Sequence, residues 1–178
     1  MSVPNPSPRR VVIVGLGNPV LGDDGVGWRV ADEVERRLTA ERTDSAGSGA
    51  AANPRTVDVE RLGVGGLRLM EFLADYDEAI LVDAAEFPNR PVGEVRSCPL
   101  EELGGYGAGH LDSAHDASLT TALALGRKLG ASLPSAIHVV TIQAQSTGEF
   151  SEELTPAVEA AVPAAVSAVM ALLGIGGQ

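Results

Sequence analysis

The chain has 178 residues, enough for one α/β domain with a substantial core. Aliphatic side chains must supply that core, because aromatic residues make up only 3% of the sequence. A formal net charge of -11 at pH 7 argues against a nucleic-acid partner, since phosphates attract clusters of Lys and Arg, and favours a basic protein partner. Cys98 is the only cysteine, which excludes an internal disulfide and a thiolate zinc cluster. Because the sequence has no apolar run long enough to span a bilayer and no signal-peptide pattern, a cytoplasmic protein is expected.

The first half of the chain alternates strands and helices. Residues 1–10 are expected to form a flexible tail, and residues 11–178 a single domain. The small, polar residues at 41–54 are punctuated by Gly and Pro and predict a mobile loop. The hydrophobic pattern predicts strands at 11–14, 56–60 and 79–82, and helices at 26–38 and 67–73.

The second half continues this pattern with a change of strand direction. A fourth strand is predicted at 92–98, and it should run antiparallel to the third because the connection between them is too short for a crossover helix. A glycine-rich loop at 104–110 precedes a helix at 115–129. A fifth strand at 137–142 and a helix that begins at Pro156 complete the chain. These elements predict an α/β fold, a three-layer α/β/α sandwich with a mixed five-stranded sheet.

The segment VVIVGLGNPVLGDDGVG, at residues 11–27, ends a buried strand with glycines and two adjacent carboxylates. The carboxyl end of a parallel strand is where α/β proteins place their chemistry. Helix capping explains one acid, because Asp is a favoured N-cap, but one cap needs only one Asp. The pair Asp23 and Asp24 therefore favours a functional acid at this turn.

Candidate metal ligands also lie beside two other glycine-rich breaks between predicted elements. They are Glu60, at the end of the second strand, and His110 and His115, before the third helix. If the first two strands are adjacent and parallel, a histidine over their carboxyl ends completes a set of two oxygen donors and one nitrogen donor. Such a set suits a borderline divalent ion such as nickel or zinc. In a first helical turn, the helix dipole would keep the His115 ring neutral for ligation. The alternative for His115 is a capping or surface role.

Motifs of common hydrolases and dinucleotide-binding proteins are missing from the sequence. It contains neither an HExxH zinc motif nor a GxSxG nucleophile elbow, and Val20 stands where the third glycine of a dinucleotide fingerprint belongs. Cys98 is interpreted as a buried structural thiol and His138 as a core histidine. Asp83, at the end of the third strand, is either a loop-capping acid or a group that supports a metal ligand.

Four blocks of sequence resemble a known family. They are GLGNPVLGDDGVGWRVAD at 15–32, VGGLRLMEFLADYDEAILVDA at 64–84, HDASLTTALALGRKLG at 115–130 and LTPAVEAAVPAAV at 154–166. Together they resemble the hydrogenase maturation proteases, which trim the C-terminus of nickel-iron hydrogenase large subunits. The resemblance implies an α/β/α fold of the phosphorylase/hydrolase type. It also implies a cytoplasmic, aspartic-type endopeptidase that activates a hydrogenase and has the nickel-loaded large-subunit precursor as its partner.

The resemblance further implies a nickel site. Members bind nickel through an acid in the first glycine loop, an acid after the second strand and a histidine that opens a later helix. On this sequence the first acid falls on Asp24 and the histidine on His115. Arg61 stands where the family often has its second acid, so the adjacent Glu60 is the expected substitute. Asp23 is an alternative or supporting ligand.

The expected reaction is hydrolysis of one peptide bond in the precursor. Asp24, His115 and Glu60 would bind nickel already inserted in that precursor, with Asp24 and His115 as the catalytic residues. Either the metal or a carboxylate would orient water at the scissile carbonyl, without an acyl-enzyme.

Two alternative functions stay open. One is a nickel-dependent docking chaperone that does not cleave. The other is a peptidyl-tRNA hydrolase-like enzyme, which shares the GLGNP motif but needs a basic surface and a catalytic histidine soon after the loop. We expect no nucleic-acid or membrane partner, and the sequence assigns neither the oligomeric state nor the hydrogenase that is processed.

Overall fold

The computed structural model describes residues 8–44, 55–103, 111 and 118–175 of the chain. Within these residues five strands form one sheet in the order β2-β1-β3-β5-β4. The strands are β1 (Arg9–Leu16), β2 (Arg55–Leu62), β3 (Glu78–Ala85), β4 (Val95–Pro99) and β5 (Ala136–Gln143). β1 pairs in parallel with both β2 and β3, β3 pairs in parallel with β5, and β4 is antiparallel to β5. The sheet is therefore mixed, as predicted.

The predicted direction of the fourth strand is confirmed. β4 is antiparallel to β3, but it forms its hydrogen bonds with β5, at the edge of the sheet, and not with β3. β5 occupies the free side of β3 over its whole length, with Glu78 opposite Ala136 and Ala85 opposite Gln143. The short connection after β3 therefore has to reach past β5, and it is held there by the Gly93 N–H, which donates to the Gln143 carbonyl over 2.8 Å.

Helices cover both faces of the sheet. The described α-helices are α1 (Val26–Asp44), α2 (Gly66–Phe72), α3 (Leu119–Lys128) and α4 (Pro156–Leu172). Apolar side chains of α1 and α4 form one core cluster with alternate strand residues such as Val11 and Ile13. Those of α2 and α3 form a second cluster with the intervening residues, such as Val12 and Val14. The three-layer α/β/α sandwich is confirmed, and none of these helices is long and apolar enough to cross a membrane.

Two boundaries in the first half differ from the prediction. β1 begins at Arg9, inside the predicted tail, because the Arg10 N–H donates to Asp77 Oδ2 over 2.8 Å and strand pairing with β2 continues to that end. α1 continues to Asp44, so the first residues of the predicted loop at 41–54 are helical. The rest of that loop lies outside the described residues, as does the glycine-rich loop at 104–110.

α1 approaches the sheet closely because glycines remove the side chains between them. A Cβ at Gly27 would lie 2.2 Å from the Leu16 carbonyl oxygen and 2.6 Å from that of Val82. A Cβ at Gly15 would lie 2.3 Å from the Gly27 carbonyl oxygen. Both contacts are with backbone atoms, which cannot give way as a flexible side chain would. The start of α1 is thereby fixed against the carboxyl ends of β1 and β3.

Replacing Gly27 with Ala should therefore force α1 away from the sheet. We expect Gly27→Ala to lower the free energy of unfolding by about 3 kcal/mol, at the upper end of overpacking costs. Gly148→Ala is the matched control, because a Cβ at Gly148 has nothing within 4 Å. Urea unfolding of both variants measures the difference, and equal stabilities would contradict this packing.

Candidate active site

Asp24 is fixed at the carboxyl end of β1 by a short 3-10 turn, Gly22–Gly25. The Asn18 N–H donates to Asp24 Oδ2 over 2.7 Å, and the Asp24 N–H donates to the Leu21 carbonyl over 3.2 Å. The turn passes so close to Gly17, whose φ is +124°, that a Cβ there would lie 1.8 Å from the Asp24 carbonyl oxygen. Asp24 is only 5% exposed. The glycines thus allow a buried carboxylate to sit at the edge of the sheet.

Asp23 makes its hydrogen bonds to the opposite end of the chain. The Gln145 N–H donates to Asp23 Oδ2 over 2.9 Å, and the Thr155 N–H donates to Oδ1 over 2.7 Å. The Thr155 hydroxyl also donates to Oδ2 over 3.0 Å. These bonds join the turn before α1 to the end of β5 and to the N-cap of α4. Because both oxygens of this buried carboxylate already accept hydrogen bonds, we assign Asp23 a structural role rather than that of an alternative ligand.

Asp83 is a second buried acid at the same edge of the sheet. It lies near the carboxyl end of β3, beside β1, and is 0% exposed. Leu81 belongs to the core cluster with α2 and α3, so strand alternation places Asp83 on that face. The preceding residue, Val82, contacts the start of α1 at Gly27. The sequence signal for Asp83 is a single acid at the end of a buried strand, which is weaker than the adjacent acids that mark Asp24.

Glu60 lies farther from this edge than the sequence suggests. It is paired with Val14, two residues before the end of β1, whereas Asp24 is bonded to Asn18, two residues beyond that end. Glu60 is exposed on the edge strand β2. Its negative charge contributes to the raised pKa of the nearby Tyr76 hydroxyl, an effect due first to burial and then to the hydrogen bond with Asp58. The structure thus brings Asp83 to the buried edge, while Glu60 as a ligand stays a prediction.

Arg61, the residue that follows Glu60, lies on the opposite face of the sheet from Glu60. Its Nε donates to Asp32 Oδ1 over 2.6 Å, and a second nitrogen donates to Glu35 Oε2 over 2.5 Å. Both acids belong to α1. Since neighbouring residues of a strand point to opposite faces, Arg61 and Glu60 cannot serve the same site.

The predicted histidine ligands, His110 and His115, lie outside the described residues. Within the described residues the third helix is shorter than the predicted 115–129, because α3 begins at Leu119 with Ser118 as its N-cap, whose hydroxyl accepts from the Thr121 N–H. The role of His115 as a neutral metal ligand stays a prediction.

The direction of α3 agrees with a ligand that precedes this helix. The chain after α3 reaches the amino end of β3, where the Asp75 N–H donates to the Ser132 carbonyl and the Ser135 N–H donates to the Asp77 carbonyl. The start of α3 is therefore directed toward the carboxyl edge, which holds Asp24.

The donor set of the described residues is incomplete for a metal ion. Within 8–44, 55–103, 111 and 118–175, no group of three His, Cys, Asp or Glu side chains could hold a metal. Asp24 and Asp83 supply oxygen donors at one buried edge, which fits part of the set expected for nickel or zinc. A third donor has to come from the rest of the chain or from the substrate.

Two other candidate groups lie away from this edge. Cys98 is half-buried in β4, and burial raises the pKa of its thiol more than the nearby Arg96 lowers it. A raised pKa keeps the thiol protonated at neutral pH, which argues against a nucleophile. His138 is the third residue of β5, opposite Ile80, and thus lies toward the amino edge of the sheet. Both residues are half-buried, so the expected burial of Cys98 and core position of His138 are wrong.

Comparison with known proteins identifies the family. A family model described as "Hydrogenase maturation protease" (HycI) matches residues 28–172. The chain belongs to this family. The hydrogenase 2 maturation protease of Escherichia coli K12 is 26% identical over 164 residues, which cover 92% of this chain and 90% of that relative. Such relatives are named proteases and endopeptidases, so the chain is an enzyme that hydrolyses a peptide bond.

Solved structures of hydrogenase maturation proteases share the fold. The maturating endopeptidase HybD from E. coli superposes with a TM-score of 0.69 and 25% identity, covering 93% of this chain and 92% of that one. The hydrogenase 2 maturation peptidase from a Thaumarchaeota archaeon gives a TM-score of 0.61 and 29% identity, covering 94% and 100%. The likeness extends over more than nine-tenths of this chain in both cases.

Asp23 provides a stability test for the turn. In Asp23→Ala the N–H groups of Gln145 and Thr155 lose a charged acceptor, so we expect a loss of about 3 kcal/mol in the free energy of unfolding. Asp32→Asn is the control, since Asp32 is 54% exposed in its ion pair with Arg61 and should cost less than about 1 kcal/mol. Urea unfolding compares them, and a smaller loss in Asp23→Ala than in Asp32→Asn would refute the assigned role.

Proposed function

We propose that this enzyme removes the C-terminal extension from a nickel-iron hydrogenase large-subunit precursor after nickel insertion. The observation that carries the proposal is the pair of buried acids, Asp24 and Asp83, at the carboxyl ends of adjacent parallel strands. A cation delivered by the substrate would meet two oxygen donors at this edge.

The proposed contacts to nickel are Asp24, His115 and Asp83, where Asp83 takes the position that the sequence assigns to Glu60. Carboxylate oxygen and imidazole nitrogen are suitable donors for a borderline divalent ion. The Asn18 N–H holds the Asp24 carboxylate in one orientation, so less conformational freedom is lost when the substrate binds. Nickel is cargo of the precursor in this proposal, so a precursor without it lacks the group that these residues recognise.

The proposed chemistry needs water and one proton acceptor. The scissile bond is held beside Asp24 and Asp83, which we call the acid edge. The Asp24 carboxylate accepts a proton from the water that adds to the carbonyl carbon. The proton passes to the leaving amine nitrogen as the C–N bond breaks. His115 is the other residue expected to be catalytic. With Asp24 and Asp83 it holds the nickel of the substrate, and so keeps the scissile bond in position.

The alternative functions receive less support from the structure. The docking chaperone rests on the lack of an acid at Arg61, which forms ion pairs with Asp32 and Glu35, but Asp83 offers a second buried acid at this edge of the sheet. A peptidyl-tRNA hydrolase needs a basic surface, whereas this chain has a formal net charge of -11.

A cleavage assay with matched variants tests the proposal. We expect the purified protein to shorten a nickel-loaded precursor, measured by intact mass, and to leave the nickel-free precursor uncut. Asp24→Asn and Asp83→Asn should each lower the rate by about 100-fold or more, as expected for loss of an acid that contacts the reacting groups. Glu60→Gln, at an exposed position, should stay within about threefold of the wild-type rate.

Each other outcome has a definite meaning. A stable but uncut complex would favour the chaperone, and release of peptide from peptidyl-tRNA would favour that hydrolase. Loss of activity in Glu60→Gln with full activity in Asp83→Asn would return the second ligand position to Glu60.

A further inference from the structure

The segment between β5 and α4, residues 145–155, is fastened to the turn that carries Asp24. Both of its ends donate backbone hydrogen bonds to Asp23, through the N–H groups of Gln145 and Thr155. Its middle forms a parallel bridge with the turn, in which the Gly22 N–H donates to the Ser151 carbonyl over 2.6 Å. This segment therefore has a fixed position beside the candidate active site.

The segment carries an aromatic side chain that the fold does not bury. Phe150 is 87% exposed, in a chain with three Phe residues. It lies next to Ser151, the residue bridged to Leu21. Because its backbone is fastened, Phe150 can contact a partner with little loss of backbone freedom, which is the property of an aromatic anchor.

A cavity of about 310 Å³ lies between this segment and the start of α1. Its walls include Pro19 and Val20 of the turn, Trp28 of α1 and Leu154 of the segment. The cavity therefore offers an apolar wall at the rim of the turn that holds Asp24.

The surrounding charge is negative. Glu149, Glu152 and Glu153 are exposed within five consecutive positions around Phe150, and in the described part of the chain none of them forms an ion pair. The one cation in the cavity wall, Arg29, donates to the Glu152 backbone carbonyl over 3.4 Å and not to a side chain. The complement of this surface is a basic segment with an apolar side chain.

We propose that residues 149–154 and the adjoining cavity form the docking surface for a basic, partly apolar segment of the precursor protein. This inference rests on the proposed function, because it takes the hydrogenase precursor as the occupant. Phe150 supplies the apolar contact, and the three glutamates attract the basic side chains. Asp23 joins the segment that carries this surface to the turn that carries Asp24. The distance between the docking surface and the cleavage site is therefore fixed.

Steady-state cleavage and direct binding of the nickel-loaded precursor test this surface. Phe150→Ala should raise KM and Kd by about 10-fold with kcat little changed, as for a residue at an interface hot spot. Leu129→Ala is the matched control, because Leu129 is 78% exposed at the end of α3, toward the amino edge of the sheet. It should leave both constants unchanged.

Charge is tested by a second matched pair. The double variant Glu152→Gln/Glu153→Gln should raise KM at low salt, and the difference from wild type should shrink as salt is added. Glu101→Gln/Glu102→Gln removes two exposed charges from the short helix Leu100–Glu102 and should have no such effect. Circular dichroism melting confirms that all variants fold alike.

The results separate this surface from the proposed function. If wild type cleaves the precursor and Phe150→Ala matches Leu129→Ala in KM and Kd, the docking surface is overturned and the function stands. If the wild-type protein binds the precursor without cleaving it, the proposed function fails. The Kd values of Phe150→Ala and Leu129→Ala then test the docking surface by themselves. If wild type neither binds nor cleaves it, both proposals are overturned.

Discussion

The Asp23 carboxylate holds together the two parts of the chain on which the active site depends. Its hydrogen bonds join the turn after β1 to the backbone at Gln145 and Thr155, more than 120 residues away along the chain. Asp24 follows Asp23 directly, so a shift of this carboxylate would move the candidate catalytic acid as well. Hydrogen bonds to a buried charged group are among the stronger ones in proteins, which makes this a firm connection. Of the two adjacent acids, Asp23 therefore has the structural role, and Asp24 is the one available for the proposed chemistry.

Close backbone packing complements that connection. Gly15, Gly17 and Gly27 let the turn and α1 lie against the strand ends at distances that a Cβ would prevent. The acids thus sit on regular elements with fixed positions rather than on a free loop, as a hydrolytic site requires if it is to hold a peptide bond in one geometry. The same packing explains why a glycine-rich segment can be rigid. The glycines here allow contact and do not signal mobility.

Strand alternation decides which acids can act together. In β2, Val57 and Val59 pack toward α1 and α4, and Arg61 follows them on that face. Glu60 alternates to the other face but remains level with Val14 on an exposed edge strand. β3 is central, so the acid at its end is covered from both sides, and Asp83 is buried where Glu60 is not.

Much of the fold followed from periodicity, because it depends on local patterns of apolar residues. The strands and the helices were predictable in this way, and the structure supplies the parallel pairing of β1 with β2 that the sequence leaves as a condition. The neighbour of β4 was not, since β5 reaches the edge of β3 through a crossover that the local pattern of β4 does not contain. Asp24 stood out because two acids at one cap are redundant. Asp83 did not, because its burial depends on β1 and β5 at its sides.

The two electrostatic parts of the proposed substrate recognition differ in range. Glu149, Glu152 and Glu153 act through solvent, where salt screens charges beyond roughly 8 Å at physiological ionic strength. Asp24 and Asp83 are buried, so ions in solution screen them far less and they act on a cation only at close range. A precursor without nickel would still be attracted to the exposed acids, yet it would lack the charge that the buried acids recognise. In this proposal the exposed glutamates would govern how readily the precursor arrives, and the two buried acids would discriminate between the nickel-loaded and the nickel-free precursor.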